Sequence, residues 1–190
     1  MRTAIFGGSF DPVHIGHLFI AEEVRVGLAF DKVIFIPARR SPLKKNIPGA
    51  TNEQRLEMLK LALNGREDFS ISDVELFRQG PSYTIDTIRE LQAQGRVGEH
   101  PGLVIGDDLT GSFSAWKEYE ELRRIVRLVV ARREGVIEED SLGEYQVVEN
   151  AMIPVSSSQI RERVRHGRAF RYLVPEPVYQ CIEANGIYRT

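Results

Sequence analysis

A short apolar stretch that runs straight into two glycines is the feature that most constrains how this chain can fold. Thr3–Phe6 is apolar and is followed by Gly7 and Gly8, which predicts a buried strand that ends in a tight turn. Apolar residues recur at helical spacing over Ile15–Phe30, and Val33–Ile36 predicts a second buried strand. A buried strand, a helix and another buried strand form a βαβ unit, which requires a parallel sheet with a right-handed crossover.

The rest of the chain continues this alternation of strands and helices. Further strands are predicted at Phe69–Val74, Leu103–Ile105 and Leu128–Ala131, and Met152–Val155 is a short strand or an extended lead-in. We therefore predict a Rossmann-like α/β fold, a doubly wound parallel sheet of about five strands with a small C-terminal helical extension. One domain is expected over residues 1–190, with a core at 1–150 and the extension at 151–190. Later helices are predicted from a Thr51 cap to Asn64, at Thr84–Ala93, Ser114–Ile125 and Ser156–His166, and at Pro175–Asn185.

Composition narrows the class of protein. The 190 residues are 42% apolar and 27% charged, an ordinary globular balance, and the net charge of −2 disfavours binding to long nucleic acid. The single cysteine, Cys181, allows neither an intrachain disulfide nor a CxxC metal site. No apolar run is long enough to span a bilayer, and no signal peptide is expected. We expect a cytoplasmic enzyme or small-ligand binder with no nucleic-acid or membrane partner; homo-oligomers are compatible with this pattern.

Two polar stretches interrupt the alternation. Ala38–Ala50 is rich in Pro, Lys, Arg and Gly and is predicted to be a mobile basic loop. The stretch from Glu134 to Asn150 carries six acidic residues and no Lys or Arg, which favours a solvated loop or a sheet edge.

The segment from Gly7 to His17 is the strongest candidate site. It joins the first strand to the first helix, at the sheet edge where open α/β folds bind ligands. Adjacent glycines let a phosphate approach the backbone, and the helix N-terminus offers free N–H groups. His14 and His17 lie about one helical turn apart with Gly16 between them. The pattern has neither the P-loop lysine nor the full GxGxxG fingerprint, so the histidines would supply the phosphate donors.

Two other interpretations of these histidines were weighed, a zinc pair and two ordinary surface histidines. Zinc usually needs three or four ligands, and the remaining candidates, Cys181, His100 and His166, lie on distant segments. The agreement of motif and strand–turn–helix context favours a nucleotide site.

A second motif, Val155–Arg161, places three serines at a predicted helix start and an arginine one turn later. Serine hydroxyls and N–H groups can bind phosphate oxygens there, and Arg161 adds a cation. The alternative is a capped helix with a solvated arginine face. That face would hold Arg161, Arg163, Arg165 and Arg168.

Together these motifs resemble those of the nucleotidyltransferase superfamily, which carries (T/H)xGH after G(S/T)FDP and, in its small adenylyltransferases, ISSTxIR. Class I aminoacyl-tRNA synthetases share His-Ile-Gly-His but are much longer and carry a KMSKS loop. Gly80–Thr87, Ile105–Asp108 with the later Trp116, and Leu173–Tyr188 are similar to segments of bacterial nicotinate-nucleotide adenylyltransferases. The resemblance covers nearly the whole chain.

The resemblance implies transfer of an adenylyl group from ATP to nicotinate mononucleotide, giving deamido-NAD and pyrophosphate in NAD biosynthesis. It implies Mg²⁺ carried on the phosphates rather than in a protein metal site. The rivals are a related adenylyl- or cytidylyltransferase, such as one acting on nicotinamide mononucleotide or phosphopantetheine, and a non-catalytic nucleotide sensor.

The resemblance also implies roles for individual residues. The catalytic set is His14, His17, Lys44 and Arg161. The ATP-binding set is Gly8, Ser9, Phe10, His14, His17, Gly106, Asp108, Ser157, Ser158 and Arg161. The set that binds nicotinate mononucleotide is Lys44, Tyr83, Thr84, Trp116 and Arg133.

Three members of these sets have plainer interpretations as well. Trp116 could be core, but its place after a strand-end loop favours a pocket wall. Thr84 is read as a helix cap whose neighbouring N–H groups also suit a carboxylate. Arg133 follows a strand, and a substrate contact and a surface role are equally compatible with that position.

The chain departs from the family pattern twice. Leu43 stands where the family commonly has a histidine, whose role could pass to Arg39 or Arg40. Asp107 stands where a small or neutral residue is common, and its side chain is expected to point to solvent rather than to perturb metal or ribose binding.

Overall fold

Six parallel strands form one sheet in the computed structural model, which describes residues 1–39, 49–133, 137–139 and 142–189. The predicted doubly wound parallel sheet is confirmed, with six strands among the described residues instead of about five. Every pair of neighbouring strands is parallel, in the order β3-β2-β1-β4-β5-β6. The strands are β1 (Thr3–Gly8), β2 (Lys32–Pro37), β3 (Phe69–Ile71), β4 (Gly102–Gly106), β5 (Arg127–Ala131) and β6 (Tyr145–Val148).

The additional strand, β6, lies inside the acidic stretch and pairs with β5 at the edge of the sheet. Of its four residues only Val148 is fully buried, so its apolar signal is weak. The predicted extended segment Met152–Val155 forms no strand. Pro154 lacks an N–H group, and the N–H of Val155 turns back to the carbonyl of Ile153 at 2.8 Å.

The helices are α1 (Ile15–Gly27), α2 (Asn52–Leu63), α3 (Thr84–Ala93), α4 (Tyr119–Ile125), α5 (Ser157–Arg165) and α6 (Glu176–Ala184). The Thr51 cap of α2 is confirmed, because the Thr51 hydroxyl accepts from the Gln54 N–H at 3.2 Å. The Thr51 N–H in turn donates to the side-chain oxygen of Gln54 at 2.9 Å. The predicted helix Ser114–Ile125 is wrong as one element. A 3₁₀ helix spans Asp107–Ala115, and Glu118 then adopts a left-handed φ of 51° that separates it from α4.

Apolar side chains pack on both faces of the sheet, as the alternation along β1 requires. Ala4 and Phe6 face one cluster while Ile5 faces the other. The first cluster takes in α1, α2, α5 and α6, so the C-terminal extension packs directly on the sheet side that carries α1. The second cluster holds α3 and α4. Within the described ranges, no helix has the length and apolar character needed to span a bilayer.

Candidate active site

The order of strands reverses between β1 and β4. From β1 the chain builds outward through β2 and β3, and it then crosses over to β4, β5 and β6. The carboxyl ends of β1 and β4, at Gly8 and Gly106, therefore border the crevice where such sheets bind ligands. The predicted position of the glycine-histidine segment at this edge is confirmed.

The two histidines lie against each other at the start of α1. His14 occupies the N-cap position, and its ring stacks on that of His17 with centroids 3.6 Å apart and planes 26° apart. The Nδ1 atom of His17 accepts the backbone N–H of His14 at 3.2 Å. In neutral His17 this bond places the ring proton on Nε2.

His14 is a buried imidazole with unmet hydrogen-bonding capacity. The residue is 3% exposed, and neither ring nitrogen has a hydrogen-bond partner among the described residues. Burial, together with the positive charge of Arg133, lowers the pKa of His14 to about 3. The ring is therefore neutral at physiological pH and can donate one hydrogen bond, which a phosphate oxygen would satisfy.

This lowered pKa predicts a stability that depends on pH. Below pH 6.5 the unfolded chain binds a proton at His14, whereas the folded chain stays unprotonated there until much lower pH. The contribution of His14 to the free energy of unfolding is therefore complete above pH 6.5 and is lost as the pH falls. Between pH 7.5 and 5, wild type should lose about 2 kcal/mol of unfolding free energy more than His14→Gln does. Urea unfolding at both pH values measures the difference. Parallel losses in the two proteins would contradict the buried, neutral state.

The serine-arginine motif lies against the loop that precedes His14. Ser156 caps α5, with its hydroxyl accepting from the Gln159 N–H at 3.2 Å. The Ser157 hydroxyl donates to the Pro12 carbonyl at 2.9 Å, and Arg161 donates to the Asp11 carbonyl at 2.7 Å. Because of these bonds, the N-termini of α1 and α5 lie side by side. Arg161 is therefore half-buried against this loop, whereas Arg163, Arg165 and Arg168 are exposed.

Gly8, Ser9 and Phe10 lead away from β1, but the Phe10 side chain points into the core. It is fully buried against Phe6, Phe35 and the ring of His17. A Cβ on Gly8 would come within 3.0 Å of the Phe10 ring, so the glycine makes room for it. Phe10 can therefore contribute only backbone atoms to the predicted ATP-binding set.

Arg55 fixes the ends of β1 and β2 and was missed by the sequence reasoning. It is fully buried, and its Nη1 atom donates to the carbonyls of Ser9 and Ala38 at 2.7 Å each. Its Nη2 atom donates to the side chain of Asn52 at 2.7 Å. Because an arginine on a helix normally faces water, no local sequence pattern indicates that Arg55 is buried and bonded to the strand ends.

Asp107 does not point to solvent, and that expectation is wrong. It is 3% exposed, and its carboxylate accepts the backbone N–H of Arg133 at 2.9 Å, which ties the end of β4 to the end of β5. Asp108 accepts from the Arg133 guanidinium at 3.2 Å through both oxygens. A Cβ on Gly106 would lie 2.1 Å from an Asp108 oxygen, so the ion pair needs glycine there.

The start of α3 and the Trp116 segment also lie together. Tyr83 occupies the N-cap position and Thr84 is the first helical residue, so Thr84 is not the cap. The Tyr83 side chain makes no cap hydrogen bond, so it does not occupy the first N–H groups of α3. Lys117 pairs with Asp86 in the first turn at 2.9 Å and lies 5.0 Å from the Tyr83 ring centroid.

Trp116 packs partly against the core and is partly exposed. The residue is half-buried, and its ring meets Phe113 edge-on at 5.3 Å, which anchors it to the core. Its indole N–H has no hydrogen-bond partner among the described residues. The ring borders the same edge as α3, where it can also form a wall.

Some predicted residues lie outside the part of the chain that the structure describes. Lys44, Arg40 and Leu43 are among them. Arg39 is described, and its guanidinium donates to the Arg78 carbonyl at 2.9 Å. In the described ranges no group of three or more His, Cys, Asp or Glu residues could hold a metal ion. The parallel, stacked rings of His14 and His17 also do not converge on one ion.

Comparison with known proteins agrees with this architecture. The cytidylyltransferase-like family model matches residues 5–163. A probable nicotinate-nucleotide adenylyltransferase of Geobacillus kaustophilus is 42% identical over 191 residues, covering 98% of this chain and 86% of the relative. A protein of the same description from Exiguobacterium sibiricum is 40% identical over 194 residues, covering all of both chains.

Solved structures share the fold at lower identity. The nicotinic acid mononucleotide adenylyltransferase of Plasmodium falciparum, complexed with NaAD, superposes with a TM-score of 0.78 at 17% identity and covers 98% of this chain and 97% of its own. A putative nicotinate-nucleotide adenylyltransferase of Vibrio parahaemolyticus gives 0.69 at 18% identity, covering 100% and 96%.

Proposed function

The chain belongs to the nicotinate-nucleotide adenylyltransferase family, and on that premise we propose how its own residues transfer an adenylyl group from ATP to nicotinate mononucleotide. The products are deamido-NAD and pyrophosphate. Relatives of that description match over nearly the full length, which supports this acceptor over phosphopantetheine or a cytidylyl donor. The observation that carries the proposal is the hydrogen bonding of the Ser157–Arg161 segment to the loop before His14.

The reaction needs little proton transfer. The 5′-phosphate of the mononucleotide is already anionic at neutral pH, and its oxygen attacks the α-phosphorus of ATP while the bond to pyrophosphate breaks. No general base is required, so alignment and charge stabilisation supply the catalysis.

The residues at the sheet edge fit that task. The Nε2–H of His17 and the N-terminus of α1 would bind phosphate oxygens, and neutral His14 would donate one further bond. Arg161 and the N-terminus of α5 would face the same phosphates from the other side. Gly8 leaves room for the buried Phe10 ring, and Gly106 leaves room for the Asp108–Arg133 pair. Asp108, fixed by Arg133, would hold the ribose.

Mg²⁺ is proposed to arrive with ATP. Such an ion usually keeps few protein ligands and binds mainly phosphate oxygens, which fits the end of β4, where Asp107 and Asp108 are already bonded to Arg133. When bound, it would neutralise charge on the departing pyrophosphate. A cytoplasmic location is proposed as well, because ATP is available there and the free thiol of Cys181 suits a reducing compartment.

The role of Arg161 predicts a difference between two arginines on one helix. Arg161→Lys should lower kcat/KM for ATP by about tenfold or more, because a point charge cannot reproduce the guanidinium fork. Arg165→Ala, one turn further along and exposed, should change it less than about twofold. Steady-state kinetics on both variants decides. Equal effects would mean that the motif is only a capped, solvated helix.

The direct test of the activity is pyrophosphate release from ATP with each candidate acceptor. Nicotinate mononucleotide, nicotinamide mononucleotide and phosphopantetheine are offered separately to the purified chain. Release with the first at the highest efficiency supports the proposal. Release with phosphopantetheine alone would favour the related transferase, and ATP binding without release would favour the nucleotide sensor.

A further inference from the structure

Asp11, in the loop before His14, is a buried carboxylate on which separate parts of the chain converge. Its Oδ1 accepts the Tyr188 hydroxyl at 2.8 Å and the Ala50 N–H at 3.0 Å. Its Oδ2 accepts the Gly49 N–H at 2.7 Å. We call Asp11, Gly49, Ala50, Arg161 and Tyr188 the Asp11 cluster. It joins the site loop to the approach to α2 and to the last described turn of the chain.

Within the Asp11 cluster, Arg161 lies against two oxygen atoms of Asp11, the main-chain carbonyl oxygen and the carboxylate Oδ2. Its Nη1 donates to the Asp11 carbonyl at 2.7 Å and lies 3.6 Å from the Asp11 Oδ2. Its Nη2 donates to the Ser158 hydroxyl at 3.1 Å. The guanidinium is therefore bonded to the Asp11 main chain and to Ser158, with the Asp11 carboxylate within ion-pair distance of it.

Tyr188 and Arg161 are also packed against each other across a glycine. A Cβ on Gly49 would lie 3.0 Å from the Tyr188 ring and 3.1 Å from Cδ of Arg161, so both side chains occupy the space that this glycine leaves open. Tyr188 is 5% exposed. Burial and the adjacent Asp11 carboxylate raise the pKa of Tyr188 well above its usual value, so its hydroxyl remains a neutral donor.

We propose that Tyr188 is a positioning residue for adenylyl transfer, whose hydroxyl holds the Asp11 carboxylate so that Arg161 is oriented toward the phosphates of ATP. The inference deepens the proposed function and rests on Arg161 meeting those phosphates. Three donors occupy the carboxylate and keep it 3.6 Å from Nη1 of Arg161. Without the hydroxyl, the carboxylate would turn toward the guanidinium and compete with ATP for it.

Tyr188→Phe is the sharpest test, because it removes the hydroxyl and keeps the ring that packs on Gly49. We expect KM for ATP to rise about tenfold, as a displaced phosphate-binding group would cause, while KM for nicotinate mononucleotide stays within about twofold. A merely structural role would lower the melting temperature and leave the two KM values in proportion. Tyr172→Phe is the matched control, because that tyrosine is 87% exposed.

A double-mutant cycle separates the inference from the function on which it rests. In an Arg161→Ala background, removal of the Tyr188 hydroxyl should no longer change KM for ATP. The inference is overturned if Tyr188→Phe leaves that KM unchanged while Arg161→Ala raises it, or if the two effects multiply. If Arg161→Ala itself leaves KM for ATP unchanged, the proposed role of Arg161 fails and the inference fails with it.

Discussion

Replacing His17 with alanine is expected to lower turnover by about a hundredfold or more, through lost stabilisation of charge on the phosphates in the transition state. The side chain lies in the first turn of α1, where its Nδ1 accepts the His14 N–H, so Nε2 carries the proton of the neutral ring and is the atom proposed to meet a phosphate oxygen. His14 would still donate its one bond in the variant, but its ring is 3% exposed and stacks on that of His17, so it would not take over the position that His17 vacates.

The measurement is kcat with saturating ATP and nicotinate mononucleotide, beside a thermal melt of each variant. The His17 ring also packs edge-on against that of Phe10, with the ring centroids 5.0 Å apart. A small loss of stability is therefore expected, and the melt must show a folded protein. His166→Ala is the control, since that histidine is exposed at the end of α5. A folded His17→Ala variant that keeps activity within a few-fold of wild type would remove His17 from the mechanism.

The fold was predictable because its strongest signals are local. Buried strands such as β1, β2 and β4 are short apolar runs that end in glycine or proline, and the capping boxes at Thr51 and Ser156 are readable from four residues each. β6 was not predicted, because one buried valine within an acidic stretch gives almost no periodicity. The break before α4 depends on the left-handed backbone of Glu118, a conformation that a glutamate in the sequence does not indicate.

The candidate site was predictable where glycine, histidine and serine residues stand at the ends of strands and helices. It was not predictable where a charged side chain is buried by partners from distant segments. Arg55 and Asp107 are residue types that usually face water. Each is buried because its partners, the Ser9 and Ala38 carbonyls or the Arg133 N–H, arrive from other segments. Asp11 is the same case, since Tyr188 reaches it from the far end of the chain.

Nicotinate mononucleotide should be preferred over its amide by roughly a hundredfold to several thousandfold in kcat/KM, because the backbone N–H donors at the start of α3 suit a carboxylate better than an amide. The N–H groups of its first turn have no side-chain cap. A carboxylate satisfies such donors and gains from the helix dipole, whereas an amide NH₂ would face them and leave some unpaired. Each unpaired donor costs about 1–3 kcal/mol, so two or three give that range.

Two charged residues at this helix start act on the same preference. Asp86 lies in the first turn and would repel a second carboxylate, but Lys117 pairs with it at 2.9 Å and offsets that charge. The local field therefore still favours an anion at the free N–H groups. Trp116, beside Lys117, would stack on the pyridine ring of either substrate, so it contributes affinity and not choice.

The decisive measurement is kcat/KM for both mononucleotides in wild type and in Trp116→Ala. The variant should weaken both substrates while their ratio stays about the same, because a stacking face does not distinguish an acid from an amide. Equal efficiency for the two substrates in wild type would reject the acid preference, although adenylyl transfer itself would stand. If a strong preference for the acid in wild type is lost in Trp116→Ala, the contact that discriminates the two substrates lies at the indole and not at the α3 N–H groups. The indole N–H would be the group concerned, since it has no hydrogen-bond partner among the described residues.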